Sequence, residues 1–236
     1  MRKNLMMHVL PVRDNGAWQR NAEIIRENRD LFDGKRIIAI ATNARGTMHR
    51  LDKPDVVKDA FGDGFEFIEV PNDKHLREVA SFIPLMERIQ DNNTPDDVTF
   101  FCHAKGCTHS VDPQHPISKW REAMYETCLH WPGVEAALRE FPIAGSFRRT
   151  SVLGRSHWHY SGTFYWLRNR DVFSRNWQGI ERAWFGTESF PGITFTKEES
   201  ACMFFDDARD LYQPEEWERV EPALEAWRAA NCVTSN

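Results

Sequence analysis

Four short apolar runs separated by helix-like stretches constrain this chain most. They are Leu5–Leu10 (LMMHVL), Arg36–Thr42 (RIIAIAT), Phe65–Val70 (FEFIEV) and Val98–His103 (VTFFCH). A strand with one wet face alternates apolar and polar residues, whereas a nearly continuous run describes a strand covered on both faces. The spacers read as helices. Residues 17–31 put Trp18, Ala22 and Ile25 on one face, with Gly34 just past the end where a helix cap sits. Residues 52–61 open with Asp52 and Pro54, a cap and an early-helix proline. Residues 75–90 space Leu76, Val79, Ile83, Met86 and Ile89 at helical intervals. Pro84 inside that stretch predicts a kink or a late start. A β-α-β-α-β-α-β order predicts an α/β fold with a mainly parallel sheet flanked by helices.

The second half is less regular. Residues 117–131 bring Ile117, Trp120, Met124, Cys128 and Trp131 to one helical face. FPIAGSF (141–147) and HWHYSGTFYWL (157–167) read as strands, WFGTESFPGITF (184–195) as an aromatic loop, and residues 213–230 as a closing helix. No repeat, low-complexity tract or linker interrupts the sequence, so a single domain over 1–236 is expected.

With 236 residues, 41% hydrophobic and 28% charged, the chain has the composition of a soluble globular protein. Its net charge of -5 supplies no general basic field for nucleic acid. The apolar run near the start is too short for a signal segment or a membrane span. Five cysteines without framework spacing predict free thiols and a reducing, cytoplasmic setting.

The chemistry concentrates after the fourth apolar run, in TFFCHAKGCTH (99–109). Cys102, Cys107 and His109 lack the paired spacing of structural zinc. Cys102 reads as a packing thiol and nothing marks Cys107 as a nucleophile. His103, Lys105 and Gly106 fall where a parallel strand ends, the edge at which open sheets bind ligands. A lysine there offers a point charge to phosphate and a glycine lets backbone approach. A structural histidine beside a solvated lysine is the competing reading. In SHWHYSGTFYWL (156–167), strict alternation would put His157, His159, Ser161 and Thr163 on one face and Trp158, Tyr160, Gly162 and Phe164 on the other. That pattern suits a sugar-binding wall, or an aromatic core with histidines at its rim. Arg148, Arg149 and Arg155 offer further charge for a diphosphate, or belong to a solvated loop. Asp206 and Asp207 could ligate Mg²⁺ or Mn²⁺, or cap the following segment.

Together, FFCHAKG, the Trp120–Met124 pair and HYSGTFYW resemble a group of bacterial and viral glycosyltransferase-like proteins whose pattern runs H-x-K-G, W, M, H-Y-x-G-N-F-W-W. NDKHLREVA, from Asn72 through Glu78, and the opening strand and helix with His8, Trp18 and Asn21 extend the resemblance to roughly residues 5–212. It implies a GT-A-like, Rossmann-like fold. Its first half, about 1–110, would bind a nucleotide-sugar donor through His8, Trp18, Asn21, Asn72, Glu78, His103, Lys105 and Gly106. The half from 111 to 236 would meet a glycan or glycolipid acceptor through Trp120, Arg148, Arg149, Trp158, Tyr160, Gly162 and Trp166. Glu188, with His159 as helper, is the expected base. Two departures stand out: Thr163 replaces the pattern's asparagine, and no D-x-D follows the fourth strand, where His103-Ala104-Lys105 stands instead. No metal cofactor is therefore expected, the alternative being Mn or Mg on Asp206 and Asp207. The expected function is sugar transfer in surface-glycan assembly, without nucleic-acid partners. Peripheral membrane association and oligomeric state are left open. The rival readings are an inactive carbohydrate-binding or scaffolding member of the same fold, and a nucleotidyltransferase. The latter would want a richer phosphate loop than PVRDNG.

Overall fold

A computed structural model describes residues 1–14, 16–42, 49–91, 94–109 and 112–231. The expected strands form as β1 (Lys3–Val9), β2 (Arg36–Thr42), β3 (Glu66–Pro71) and β4 (Val98–His103). They alternate with α1 (Ala17–Glu27), α2 (Pro54–Phe61) and α3 (Val79–Gln90). Pro84 lies inside α3, and the helix takes the late start: residues 74–78 are turn, and Arg77 sits there at φ 48.

The second half contributes α4 (Pro116–Cys128), α5 (Trp131–Glu140), β5 (Ile143–Ser146), β6 (Arg148–Arg149), β7 (His159–Tyr160) and β8 (Tyr165–Arg168). The short α6 (Asn169–Phe173), then α7 (Gly186–Thr194), β9 (Ser200–Phe204) and α8 (Pro214–Asn231) complete it. One seven-stranded sheet runs β3-β2-β1-β4-β8-β5-β9. β8 is antiparallel to both neighbours, and the other pairings are parallel. β6 and β7 form a separate two-stranded ribbon.

The strand composition explains the layering. On β1, Leu5, Met7 and Val9 join the core beneath α1, α2, α4 and α8, while Met6 joins the core beneath α3 and α7. Phe100 and Phe101 of β4 divide the same way. At β1 and β4 both sheet faces are therefore dry, which is why these strands carry no polar face, whereas the expected double burial fails at the edge strand β3, where only Val70 is buried.

Two expectations need correction. WFGTESFPGITF is not a loop but holds α7: Pro191 lies inside the helix, the Thr187 carbonyl four residues before it accepts from the Tyr165 hydroxyl at 3.0 Å, and Phe190 packs against Phe82 of α3 at 4.7 Å. HWHYSGTFYWL is not one strand. It turns at Gly162 (φ 93) and Thr163 (φ 66) between β7 and β8, so the two pleat faces inferred from strict alternation do not exist.

Candidate functional site

The order β3-β2-β1-β4 reverses direction between β1 and β4, and a ligand crevice opens beyond the carboxyl ends of strands at such a point. The parallel register pairs His8 of β1 with His103 of β4, so two imidazoles stand side by side at this edge. They line a cavity of about 340 Å³ together with Asn72, Lys74, Arg77, Glu78, Ala104 and His109. The lining brings two permanent cations and several imidazoles against the single carboxylate of Glu78, a composition suited to an anion.

Each imidazole is oriented from behind. Ser81 Oγ donates to the Glu78 carbonyl at 2.9 Å and lies 2.9 Å from His8 Nδ1. With its one hydrogen committed, the hydroxyl accepts from His8 Nδ1–H, which leaves the lone pair on Nε2. Burial pushes His8 down to about 4, reinforced by His103 and opposed by Glu78, so this imidazole is neutral at neutral pH. His103 Nδ1 meets Glu78 Oε1 at 2.7 Å. Burial alone would raise the Glu78 carboxyl, but the charge and hydrogen bond of His103, with His8 adding to them, hold it at about 2. The carboxylate is thus an acceptor, and it fixes the hydrogen on His103 Nδ1.

Lys105 stands next to this pair but does not continue the strand. β4 ends at His103, and Lys105 N turns back to the His103 carbonyl at 2.7 Å. Its ammonium lies 3.5 Å over the Trp120 ring and 5.5 Å from the Tyr212 ring. Burial pulls it down to about 8, against Glu188 and Glu78, which favour the charged form. No carboxylate lies within ion-pair distance of it among the described residues. The fully buried Asn21 clamps this turn, accepting from Lys105 N at 3.2 Å and donating to Lys105 O at 3.0 Å. Gly106 follows at φ 84, and an added Cβ there would meet Ile117 at 3.0 Å.

Glu188, whose charge acts on Lys105, lies in the first turn of α7. Its Oε1 accepts from Gly162 N at 3.0 Å and lies 4.0 Å from His159 Nε2. Burial lowers His159, and Glu188 opposes that pull.

No family model matches this chain, and no curated protein matches it. Solved structures align over nearly its whole length. 4-diphosphocytidyl-2C-methyl-D-erythritol synthase is 10% identical, with 95% of this chain and 99% of that one covered, at a TM-score of 0.49. Glucosyl-3-phosphoglycerate synthase from Mycobacterium tuberculosis, solved with Mn²⁺, UDP and glucosyl-3-phosphoglycerate, is 13% identical over 100% and 81%, also at 0.49. A candidate nucleotide-diphospho-sugar transferase from Desulfovibrio desulfuricans G20 is 8% identical over 96% and 99%, at 0.40. At these scores the likeness carries no argument about the reaction, which is read from this chain's own residues.

Several expected site residues lie elsewhere. Trp18 is fully buried beneath the sheet, and its indole N–H donates to Asp52 at 3.2 Å. Asn21 has no surface for a ligand, since its polar atoms are spent on Ala17, Lys105 and Tyr125. Trp158, Tyr160 and Trp166 are core residues rather than a sugar wall. Their polar atoms donate inward to Phe195 O (3.2 Å), Ala201 O (2.6 Å) and Cys128 O (2.7 Å). Arg148 is held by Asp206 (2.9 Å) and by the Ser200 carbonyl (2.7 Å), and Arg149 reaches the Arg209 carbonyl at 3.4 Å. Arg155 pairs with Glu181. The alternative metal ligands are engaged too: Asp206 by Arg148, and Asp207 by the Thr150 hydroxyl at 3.0 Å. Among the described residues, no group of three or more His, Cys, Asp or Glu side chains is placed to hold a metal ion. Four contributors were not foreseen: Ser81, hidden as an ordinary helix serine; Lys74 and Arg77, delivered by the turn before α3, in which Arg77 is left-handed; and Tyr212.

Proposed function

We propose that this chain transfers a sugar from a nucleoside-diphosphate donor to a carbohydrate or glycolipid acceptor. The observation that carries the reading is the cationic cavity at the β1/β4 reversal, where His8 and His103 stand in register and Lys105 lies alongside without a carboxylate partner among the described residues. Breaking the glycosidic C–O bond leaves negative charge on the diphosphate, and fixed positive groups stabilise it where it forms. Lys105 supplies that charge with Arg77 and Lys74, and His103, oriented by Glu78, faces the same oxygens. A lysine ammonium needs no metal ion to do so. Neutral His8 offers an acceptor nitrogen to a donor hydroxyl.

Glu188, whose charge also acts on Lys105, takes the proton of the acceptor hydroxyl as its oxygen attacks the anomeric carbon. The Gly162 amide holds that carboxylate in place, and His159 stands beside it. Product analysis tests the assignment. Sugar transfer from a nucleotide sugar releases a nucleoside diphosphate, whereas a nucleotidyltransferase consumes a nucleoside triphosphate and releases pyrophosphate. Pyrophosphate release with no nucleoside diphosphate would refute the proposal. Absence of both would return the chain to the inactive binding class.

A further inference from the structure

Among the described residues, four buried side-chain nitrogens have no hydrogen-bond partner: His103 Nε2, Trp120 Nε1, Arg121 Nη1 and His159 Nδ1. Folded proteins pair such groups almost without exception, so each calls for an explanation. Two of them, on Trp120 and His159, belong to residues that meet at one place. Trp120 carries the Lys105 ammonium on its ring, and its edge packs at 3.0 Å from where a Gly162 side chain would begin. Arg121 Nη1 lies 3.8 Å from where a side chain at Gly106 would begin. His159 adjoins Glu188, and His103 ends β4. Trp120 and His159 thus flank the Lys105–Gly162–Glu188 spot, whereas Arg121 lies beside Gly106 and His103 lines the diphosphate cavity.

A second observation falls on the same place. Tyr212 and Trp184 are the two aromatic side chains that stand half exposed, at 50% and 51%. Tyr212 is propped rather than loose. Its ring meets Trp120 edge-on at 5.5 Å, lies 6.1 Å from the His109 ring, and is 5.5 Å from Lys105 Nζ. Glu188 acts on its hydroxyl more strongly than any other charge. A held aromatic face opens to solvent beside a charged lysine, a fixed carboxylate and under-satisfied nitrogens.

We propose that Tyr212, Trp120, Lys105, Glu188 and His159 form a second subsite that binds one pyranose ring of the acceptor, seated on the Tyr212 face. It rests on the transfer reading above for the ligand's role as acceptor. A pyranose presents a patch of C–H groups with slight positive character, which suits the negative face of an aromatic ring. Its rim of hydroxyls suits a small number of placed polar groups around an apolar surface. The subsite adjoins the diphosphate cavity through His109, which lines the cavity and meets the Tyr212 ring, and a ring bound there would present a hydroxyl to Glu188.

The test uses the full chain and the methyl glycosides of glucose, galactose, mannose and N-acetylglucosamine. Binding is followed by saturation-transfer NMR with and without the nucleoside diphosphate that most raises the melting temperature. At least one glycoside gives saturable transfer to its C–H face. Tyr212→Ala weakens it about tenfold, the scale of one lost aromatic contact. Tyr212→Phe keeps it, and nucleoside-diphosphate affinity stays unchanged in both variants. No glycoside binding to the nucleotide-loaded protein, or equal binding by Tyr212→Ala, overturns the inference. So does a loss of nucleotide affinity in Tyr212→Ala, which would assign the ring to the nucleobase. Tyr212-dependent glycoside binding without any nucleotide binding would refute the donor reading and uphold this subsite.

Discussion

His8 gives the sharpest test of how the cavity floor is built. It is only 5% exposed, and burial lowers it from 6.5 to about 4. Between those values the unfolded chain binds a proton that the folded chain does not, so stability falls as pH drops through that window and levels off below it. The fall from 6.5 to about 4 corresponds to roughly 3 kcal/mol between the two protonation states. Glu78 acts at lower pH. Its folded carboxyl stands at about 2 against an ordinary 4.5, so its stabilisation is complete above 4.5 and is lost as pH falls toward 2. His8→Asn places an amide N–H near the position of Nδ1, keeps the Ser81 partner and removes the titration. Urea unfolding of both proteins from pH 7 to pH 4 reads the difference. Wild type loses about 3 kcal/mol more than His8→Asn across that range. Parallel curves would mean that His8 is not a buried neutral imidazole, and its role as a hydrogen-bond acceptor in the cavity would fall with them.

Lys105→Ala lowers diphosphate affinity about tenfold to a hundredfold by calorimetry, the scale of a lost charge-assisted hydrogen bond, and wild-type binding survives EDTA. Activity that EDTA abolishes and Mn²⁺ restores, with Lys105→Ala nearly silent, would return the charge to a metal. Glu188→Gln cuts turnover at least about a hundredfold while donor affinity holds, and near-normal turnover would move the base elsewhere. Trp166, fully buried and stacked at 5.1 Å on Phe100 and 5.8 Å on Phe32, costs about 3–5 kcal/mol of stability as Trp166→Ala. A stable Trp166→Ala protein that binds glycans poorly would restore the sugar-wall reading.

The parallel half was legible because β1, β2 and β4 are dry on both faces and their apolar runs say so directly, whereas the edge strand β3 keeps Glu66 and Glu69 and buries only Val70. CHAKG was legible as a strand-end site for the same reason. What hid the rest was backbone geometry. Gly162 and Thr163 break the aromatic stretch by adopting positive φ, which composition does not reveal for a threonine. Once the chain turns there, Trp158, Tyr160 and Trp166 point into the core, and the alternation that looked like a binding face dissolves. Lys105 was expected at the strand end, beside His103. It reaches the site instead through a turn clamped by Asn21, a long-range contact that no local pattern encodes. Tyr212 comes from the segment between β9 and α8, and only tertiary packing brings it to Lys105. The Arg148–Asp206 pair shows the same limit: two charged motifs, each read as a ligand site, neutralise one another.

The central claim is that the cavity at the β1/β4 reversal holds a nucleoside diphosphate. Thermal unfolding in EDTA against a panel of nucleoside mono- and diphosphates and their sugars tests it most directly. A diphosphate at a hundred times its Kd adds about 2.7 kcal/mol and raises Tm by about 5–10 °C, with the matching monophosphate giving clearly less. The shift shrinks in Lys105→Ala. No shift with any nucleoside diphosphate or nucleotide sugar at millimolar concentration would contradict the account.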